Sequence, residues 1–409
     1  MNTIKCEKAR VDAGLVQQHN AECAYWRAVL ERIVEVIKFL CERGLAFRGQ
    51  NESIGSKSNG NYLGILELLS KFDPFLSTHI EKYKTVQEGG GRTVSYLSST
   101  ICNEFIDIMG KKVLDAIIAE IKGAKYYSIS MDSTPDACNV DRCTVIFRYI
   151  PHDEAHPIER FVKFIGMENH TAQQLAGNML QFFQDFGIDV KNCRGQCYDN
   201  ASNMAGKYHG VQALVREQNP HAVYIPCFGH SLNLVGQEVV KNVPETTSFF
   251  NFLQNLYNFL SVSTRRWAIM NDNLDGNPVV KSLSQTRWSA HADATNALAC
   301  SYEEIRQTLK TIEQNENEKP KTKSKAVGLM KKMLQLEYGI LTELWATILE
   351  RFNRTSISLQ NPSMDLNSAV HLFKSLKMWV LSLRDQFDEM EIKGKEKSDN
   401  PQYKEDTTF

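Results

Sequence analysis

Two aspartates in the sequence each follow a predicted β-strand. Asp132 follows the strand predicted at residues 126–131, and Asp199 follows the one at 192–198. In a sheet built in the order βββαβ, strands one and four are neighbours, so both carboxylates would stand at the same sheet edge. Paired carboxylates there can hold hydrated Mg²⁺, and two such ions promote phosphodiester chemistry. The spacing therefore makes Asp132 and Asp199 candidate catalytic, metal-binding residues.

Capping is the alternative explanation for both aspartates. The sequence that starts at Asp199, Asp-Asn-Ala-Ser-Asn, is a good helix start in its own right, because side-chain oxygens of these residues accept hydrogen bonds from the first free amides of a helix. On spacing alone, capping of the following turn or helix is the favoured interpretation.

Cys227 and His230 form a CxxH pair after a predicted strand at 223–226. Such a pair can supply half of a tetrahedral zinc site. Since no second CxxC or HxxxH pair lies nearby, we expect no zinc here. Instead, His230 is expected to cap or pack at the sheet edge near the two aspartates.

Two Arg-Trp dipeptides could contact nucleic acid: Arg287-Trp288, and Arg266-Trp267 with Arg265 before it. An arginine can meet a phosphate while an indole stacks on an unpaired base. On composition alone, a core tryptophan beside a surface arginine is favoured. The lysines at 319, 321, 323 and 325 form a small basic run that is usually a solvated loop.

The elements that must position these residues divide the chain into four parts. Apolar residues at three- and four-residue steps predict a helical region over 1–122. Residues 123–243 alternate between strands and helices in the order βββαβαβα, with one of the helices over 202–218, which predicts a mixed α/β sheet. Residues 244–392 are predicted to be all-α, and the charged tail, 393–409, is predicted to be disordered.

Composition excludes several classes of protein. The 409 residues are 42% hydrophobic and 23% charged, which argues against wholesale disorder. The formal net charge of −1 excludes a uniformly basic coat, so any nucleic-acid surface must be a local patch. The start of the chain has no signal-peptide core, and polar residues interrupt its most apolar stretch, 249–262. Ten cysteines without a CxxC pair indicate a reduced nuclear or cytoplasmic setting.

Seven segments together resemble one known family. The chain is similar to the hAT-superfamily transposases and, more narrowly, to transposase-derived proteins related to zinc finger MYM-type protein 1. The matching segments are LAFRGQNES (45–53), NGNYLGILELLSKFDP (59–74), YYSISMDSTPD (126–136), CYDNASNMAGKYHGVQA (197–213), CFGHSLNLV (227–235), QTRWSA (285–290) and SLQNPSMDL (358–366). They follow the family order and cover most of the chain.

This resemblance implies an RNase H-like core interrupted by a helical insertion domain, of which 244–392 would be a part. It implies that Asp132 and Asp199 match the first two acids of a DDE-type triad. Cys227 and His230 would match the CxxH element beside that core. Arg287 and Trp288 would match an Arg-Trp element that helps to handle a flipped base at the cleavage site.

The sequence departs from the family pattern in its third acid. The family has a glutamate within an ERSFS-like stretch, and no such stretch occurs here. The last acids before the tail, Asp385, Asp388, Glu389 and Glu391, stand in an unlike sequence. The family's dimerisation segment and N-terminal zinc-finger region are also unmatched. These departures suggest a truncated, domesticated copy.

The leading hypothesis is a nuclear or cytoplasmic protein that binds DNA through an incomplete DDE-type core, with weak or vestigial Mg²⁺ binding and no catalysis. Full-length relatives could be homo-oligomers, and no membrane partner is expected. One alternative is an active Mg²⁺-dependent transposase or nuclease, with a third acid recruited from Asp385, Asp388, Glu389 or the N-terminal region. The other is a remnant that acts only as a protein-interaction module.

Overall fold

The computed structural model describes residues 11–88, 94–135, 140–166, 171–284, 288–398 and 402–403. The chain divides into two compact units, Met1–Ala119 and Glu120–Phe409. No helix within these described ranges is long and apolar enough to cross a bilayer. The predicted domain boundaries after residues 122 and 243 stay predictions.

Helices build the described part of the first unit. They are α1 (Val11–Glu42), α2 (Gly60–Ser70), α3 (Pro74–Glu88) and the start of α4 (Ser99–Ala124). The apolar stripe of α1 supplies Ile33, Ile37 and Leu40, which are fully buried against Leu66 and Leu76. Burial of such a stripe, rather than helix propensity, accounts for most of the stability of a helix like α1.

A five-stranded mixed sheet opens the second unit. Its strands are β1 (Tyr127–Pro135), β2 (Asp141–Tyr149), β3 (Ile158–Gly166), β4 (Cys193–Tyr198) and β5 (Val223–Pro226). They lie in the order β3-β2-β1-β4-β5. The pairs β1/β2 and β2/β3 are antiparallel, whereas β4 is parallel to both β1 and β5. The predicted mixed α/β class is confirmed.

Four helices accompany the strands: α5 (Ala172–Phe186), α6 (Ser202–Ala205), α7 (Val211–Gln218) and α8 (Phe228–Asn242). One face of the sheet packs on α5, where the Phe147 ring lies 5.8 Å from Phe183 and 5.1 Å from Tyr127. Alternation along β1 therefore turns Ser128, Ser130 and Asp132 to the other face.

Eight helices follow the sheet in the described residues. They are α9 (Pro244–Ser261), α10 (Thr264–Leu274), α11 (Trp288–Cys300), α12 (Tyr302–Gln314), α13 (Pro320–Met333), α14 (Leu336–Leu359), α15 (Leu366–Ser382) and α16 (Phe387–Lys397). They enclose a core that includes Phe249, Phe252, Leu256, Leu298 and Ile305. The most apolar stretch of the sequence, residues 249–262, therefore forms most of α9 and buries its phenylalanines and leucines in this core.

Two elements differ from the prediction around the aspartates. Strand β1 continues past Asp132 to Pro135, because its pairing with β2 extends from Asp132↔Thr144 to Pro135↔Asp141. The helix predicted over 202–218 is divided into α6 and α7, since the chain folds tightly at Gly206. A Cβ atom there would lie 2.5 Å from the Ser202 carbonyl oxygen.

The tail prediction was wrong for its first residues. Helix α16 continues to Lys397, so residues 393–397 are helical rather than disordered. Lys397 fixes this end of the helix, because its Nζ donates to the Ala299 carbonyl oxygen at 2.9 Å and lies 3.2 Å from the Glu343 carboxylate. Apolar anchors are therefore unnecessary for the last turn of α16.

Candidate functional site

Strand pairing aligns the two aspartates. Ser130 of β1 is the register partner of Cys197 of β4 in a parallel pair. Asp132 and Asp199 each lie two residues farther along the same direction. Neighbouring strands are about 4.8 Å apart, so the two residues stand side by side at one edge of the sheet, on the face opposite α5.

The carboxylates influence each other electrostatically. Loss of water to the surrounding protein atoms raises the pKa of Asp132, and the negative charge of Asp199 raises it further. A hydrogen bond from the Ser133 amide and the charge of His230 act in the opposite direction. Two like charges held this close favour either a proton or a bound cation between them.

Asp199 also caps the turn that follows β4. Its Oδ1 accepts a hydrogen bond from the Ala201 amide at 3.1 Å. Its main-chain carbonyl accepts one from the Tyr224 hydroxyl, also at 3.1 Å. A single capped oxygen leaves the second carboxylate oxygen for other partners, so the capping and metal-binding interpretations are compatible in this geometry.

Cys227 and His230 lie where α8 begins, next to the end of β4. The Cys227 amide donates to the Tyr198 carbonyl oxygen at 2.8 Å, and the Cys227 carbonyl accepts from the Ser231 amide at 2.9 Å. The Ser231 hydroxyl in turn accepts from the Asn200 side chain at 3.0 Å. This network holds the first turn of α8 against the loop that carries Asp199.

Cys197 is a site residue that the sequence reasoning missed. Strand pairing places it opposite Ser130 of β1 and opposite Ile225 of β5. The neighbouring Cys197 side chain and the backbone amides of His230 and Gly229 lower the pKa of Cys227. The signal was the two-residue step from Cys197 to Asp199, which places both side chains on one face of a strand.

The donor set at this edge fits one hydrated Mg²⁺. Mg²⁺ in proteins is often held by one or two carboxylates and keeps several waters, and Asp132 with Asp199 offers that pair. No cluster of three or more His, Cys, Asp or Glu side chains able to hold a metal occurs in the part of the chain that the structure describes. Metal binding by the two aspartates stays a prediction.

Trp288 lies in the helical core. Its indole is 7% exposed and stacks on the His291 ring at 4.4 Å. A Cβ atom added at Gly236 of α8 would lie 2.6 Å from the indole, so the helix backbone covers its surface. This burial does not fit the predicted stacking of Trp288 on an unpaired base. Arg287, its predicted partner at the DNA, lies outside the described residues.

Arg265 and Arg266 lie in the first turn of α10. Arg265 is exposed, donates to the Asn315 side chain at 3.3 Å and lies 4.0 Å from Glu318. Arg266 is half-buried, with its guanidinium 4.5 Å from the centre of the Phe259 ring. The Arg265 contacts bring α10 beside the loop that leads into the lysine run at the start of α13.

The first 210 residues match the model of DUF4371, described as the ZMYM1/FAM200 RNase-like domain. The "52 kDa repressor of the inhibitor of the protein kinase" of Homo sapiens is 23% identical over 217 residues, which are 50% of this chain and 28% of that protein. The Mus musculus protein of the same name is 22% identical over 213 residues, with the same shares. The chain therefore spans little more than a quarter of these relatives.

Proposed function

We propose a function for a chain that belongs to the DUF4371 family, the ZMYM1/FAM200 RNase-like domain. This membership, together with the two relatives, confirms the resemblance to hAT-derived, zinc finger MYM-type-like proteins. In our proposal the protein binds DNA through a transposase-derived core and does not cleave it. Its working compartment would then be the nucleus.

An RNase H-like identity for the core is supported by the topology of the sheet. Three antiparallel strands come first in the chain, and two further strands then add in parallel on the other side of β1. Helices separate the later strands, as the resemblance requires. In this fold the first and fourth strands present the acids of the site, and here they carry Asp132 and Asp199.

The alignment of Asp132 with Asp199 is the observation that carries the proposal. The two carboxylates would hold one hydrated Mg²⁺, which when bound would neutralise a phosphate and orient it at the sheet edge. His230 in the first turn of α8 adds a donor next to Asp132. Such a site suits a phosphodiester backbone better than an uncharged ligand.

The proposal that the protein does not cleave DNA rests on the unmatched third acid of the triad. Two-metal phosphodiester chemistry needs several carboxylates to offset the repulsion between two ions. Two of the last acids have other partners: Glu389 pairs with Lys393 and Glu391 with Lys395, each at 3.0 Å on α16. These pairs keep both glutamates on the surface of their own helix.

DNA contact would come from a local basic surface, which we define as Arg265, Lys319, Lys321 and Lys325. All four are exposed. Contacts of Arg265 with Asn315 and Glu318 bring it next to Lys319, and Lys321 and Lys325 follow one turn apart on α13. Lysine and arginine that neutralise phosphates supply salt-dependent binding without sequence readout. The negative charge of Glu318 lowers the net positive charge of this surface but does not cancel it.

The test is a binding and nicking assay with a labelled transposon-end duplex and Mg²⁺ or Mn²⁺. We expect a salt-sensitive complex and no cleaved strand, for the natural protein and for Asp132→Ala alike. Asp153→Ala is the matched control, because it removes an exposed aspartate in the turn between β2 and β3. Failure to bind DNA at low salt would instead support a protein-interaction module.

An active transposase or nuclease is the second candidate, and the alignment of Asp132 with Asp199 favours it too. Cleavage that needs Mg²⁺ or Mn²⁺ and disappears in Asp132→Ala, but persists in Asp153→Ala, would establish it. That result would mean that a third ligand reaches the two aspartates, and the non-cleaving proposal would be wrong.

A further inference from the structure

We propose that His19 and Cys23 form half of a zinc site, and that a second copy of the chain completes it. The proposal concerns the start of α1 in the first unit and does not depend on DNA binding or on the two aspartates of the sheet. It rests on the geometry of this pair and on the row of α1 residues to which the pair belongs.

The two side chains lie one helical turn apart at the distance that a shared ion requires. Residues four apart stand on the same face of a helix, and the Cys23 sulfur lies 3.6 Å from Nε2 of His19. A tetrahedral Zn²⁺ ion has bonds of about 2.0–2.1 Å to nitrogen and about 2.3 Å to sulfur, so two such ligands on one ion are about 3.6 Å apart. One ion can therefore bind both atoms without a change in the helix backbone.

A continuous row of residues along α1 contains this pair, and we call it the α1 seam. Its members alternate in steps of three and four residues, which is the pattern of the a and d positions of a coiled coil. They are Val16, His19, Cys23, Trp26, Leu30, Ile33, Ile37 and Leu40. The second half of the seam is covered within the unit, since Ile33, Ile37 and Leu40 are fully buried and the Trp26 ring lies 5.2 Å from that of Tyr96.

The first half of the α1 seam is exposed. Every residue from 14 to 24 is exposed to solvent, including the apolar side chains of Leu15 and Val16. In a two-stranded coiled coil, the a and d residues of one helix face those of the other. A second copy that packs on this half of the seam brings its own histidine and cysteine to the same point as His19 and Cys23.

The number of ligands selects a second copy as the occupant. Structural zinc takes four ligands, and two thiolates with two imidazoles are an ordinary set. Among the residues that the structure describes, no third His, Cys, Asp or Glu side chain forms a metal-holding group with this pair. Two copies related by a twofold axis supply two ligands of each kind. Each Cys23 thiol releases its proton to solvent when the ion binds, and the two thiolates then neutralise the charge of Zn²⁺.

Zinc titration of the metal-free full chain tests the proposal, with a phosphine reductant present to prevent a disulfide between two copies. We expect half a zinc ion to bind per chain. Analytical ultracentrifugation should show the mass of one chain without zinc and the mass of two chains with it, and EDTA should reverse the change. Co²⁺ in place of Zn²⁺ should give the intense visible absorption of a tetrahedral site with thiolate ligands.

Two variants test the ligands themselves. His19→Ala and Cys23→Ser should each weaken zinc binding by at least about tenfold and leave the chain monomeric, because each change removes two of the four ligands of the dimer. Both side chains are exposed, so the helix content measured by circular dichroism should not change. The matched controls, Cys41→Ser at an exposed cysteine of the same helix and Cys227→Ser in the CxxH pair, should dimerise with zinc as the natural protein does.

Three results would overturn the proposal. One is a zinc ion bound by each monomeric chain, and another is a dimer that persists in EDTA. The third is zinc binding that Cys23→Ser leaves unchanged, and its loss in Cys227→Ser would then place the ion at the CxxH pair.

Discussion

Ser130 of β1 lies directly opposite Cys197 of β4, and this pairing decides where both aspartates stand. Because the two strands are parallel, two further steps carry each chain in the same direction and bring Asp132 level with Asp199. An antiparallel pairing would have sent them to opposite edges of the sheet. The candidate site therefore depends on contact between segments that are distant in sequence.

Replacement of Asp132 should change stability in a pH-dependent way. The pKa of Asp132 is raised in the folded protein, so the folded state binds that proton more tightly than the unfolded state. The corresponding stability is present below the unfolded pKa, about 3.9, and is lost as pH rises through the folded pKa. Asp132→Asn mimics the protonated form and should raise the free energy of unfolding at pH 7 by about 0.5 kcal/mol, since the exposed group is screened.

Urea unfolding at pH 7 and near pH 4 measures this effect. The gain should shrink at the lower pH, whereas Asp385→Asn, which alters an exposed aspartate away from the sheet, should show little change at either pH. An equal gain at both pH values for Asp132→Asn would contradict the electrostatic cause.

Removal of the Trp288 indole should destabilise the fold rather than weaken DNA contact. Trp288→Ala empties a site between Phe250, His291 and the α8 backbone at Gly236, and a cost of about 3–5 kcal/mol is typical of such a change. Trp379→Ala is the matched control, because that tryptophan is half-buried on α15 and should cost less. A DNA affinity that falls more than tenfold in folded Trp288→Ala would show that the indole reaches DNA after all.

Local pattern was enough to predict a mixed α/β sheet, but not the extension of β1 past Asp132 or the surroundings of Trp288. Alternation in β2 and the Thr171 cap of α5 are encoded by nearby residues. Burial of Trp288 depends instead on Gly236, a residue of another helix that has no side chain to exclude it. The position of Cys227 beside the end of β4 likewise needs β4 and β5 to pair, which residue spacing does not specify.

The close packing of α14 against α16 should be disrupted by a single methyl group added at Gly394. A Cβ atom at Gly394 would lie 2.6 Å from Ile340 Cγ1 and 2.8 Å from the Ile340 amide nitrogen. Gly394→Ala must separate the helices and should cost about 1–3 kcal/mol. Gly328→Ala on α13 meets nothing within 4 Å and should instead stabilise by about 0.5–1 kcal/mol, because alanine favours helix. Thermal unfolding of both variants measures the contrast; the same sign for both would contradict the close crossing.

Charge removal from the basic surface should reduce the salt dependence of DNA binding. Arg265→Ala and Lys321→Ala should each lower the slope of log affinity against log salt by about 1, because each loses one phosphate contact. Lys393→Ala is the control, since that lysine pairs with Glu389 on α16. Fluorescence anisotropy of a labelled duplex across a salt series gives the slopes. Equal slopes for the natural protein and the three variants would mean that DNA binds to another surface of the protein.

Binding of a divalent cation distinguishes the carboxylate pair from the neighbouring thiols. Mn²⁺ prefers oxygen ligands and reports its binding by electron paramagnetic resonance. Asp132→Asn and Asp199→Asn should each weaken Mn²⁺ binding by about tenfold, because either change removes one of the two aligned carboxylates and its negative charge. Cys227→Ser should leave Mn²⁺ affinity within about twofold, since a thiolate is a soft ligand that Mn²⁺ does not select. If Cys227→Ser abolished binding while Asp199→Asn did not, the cation would sit at the start of α8 rather than between the aspartates. The alignment of Asp132 with Asp199 would then be a consequence of strand pairing alone.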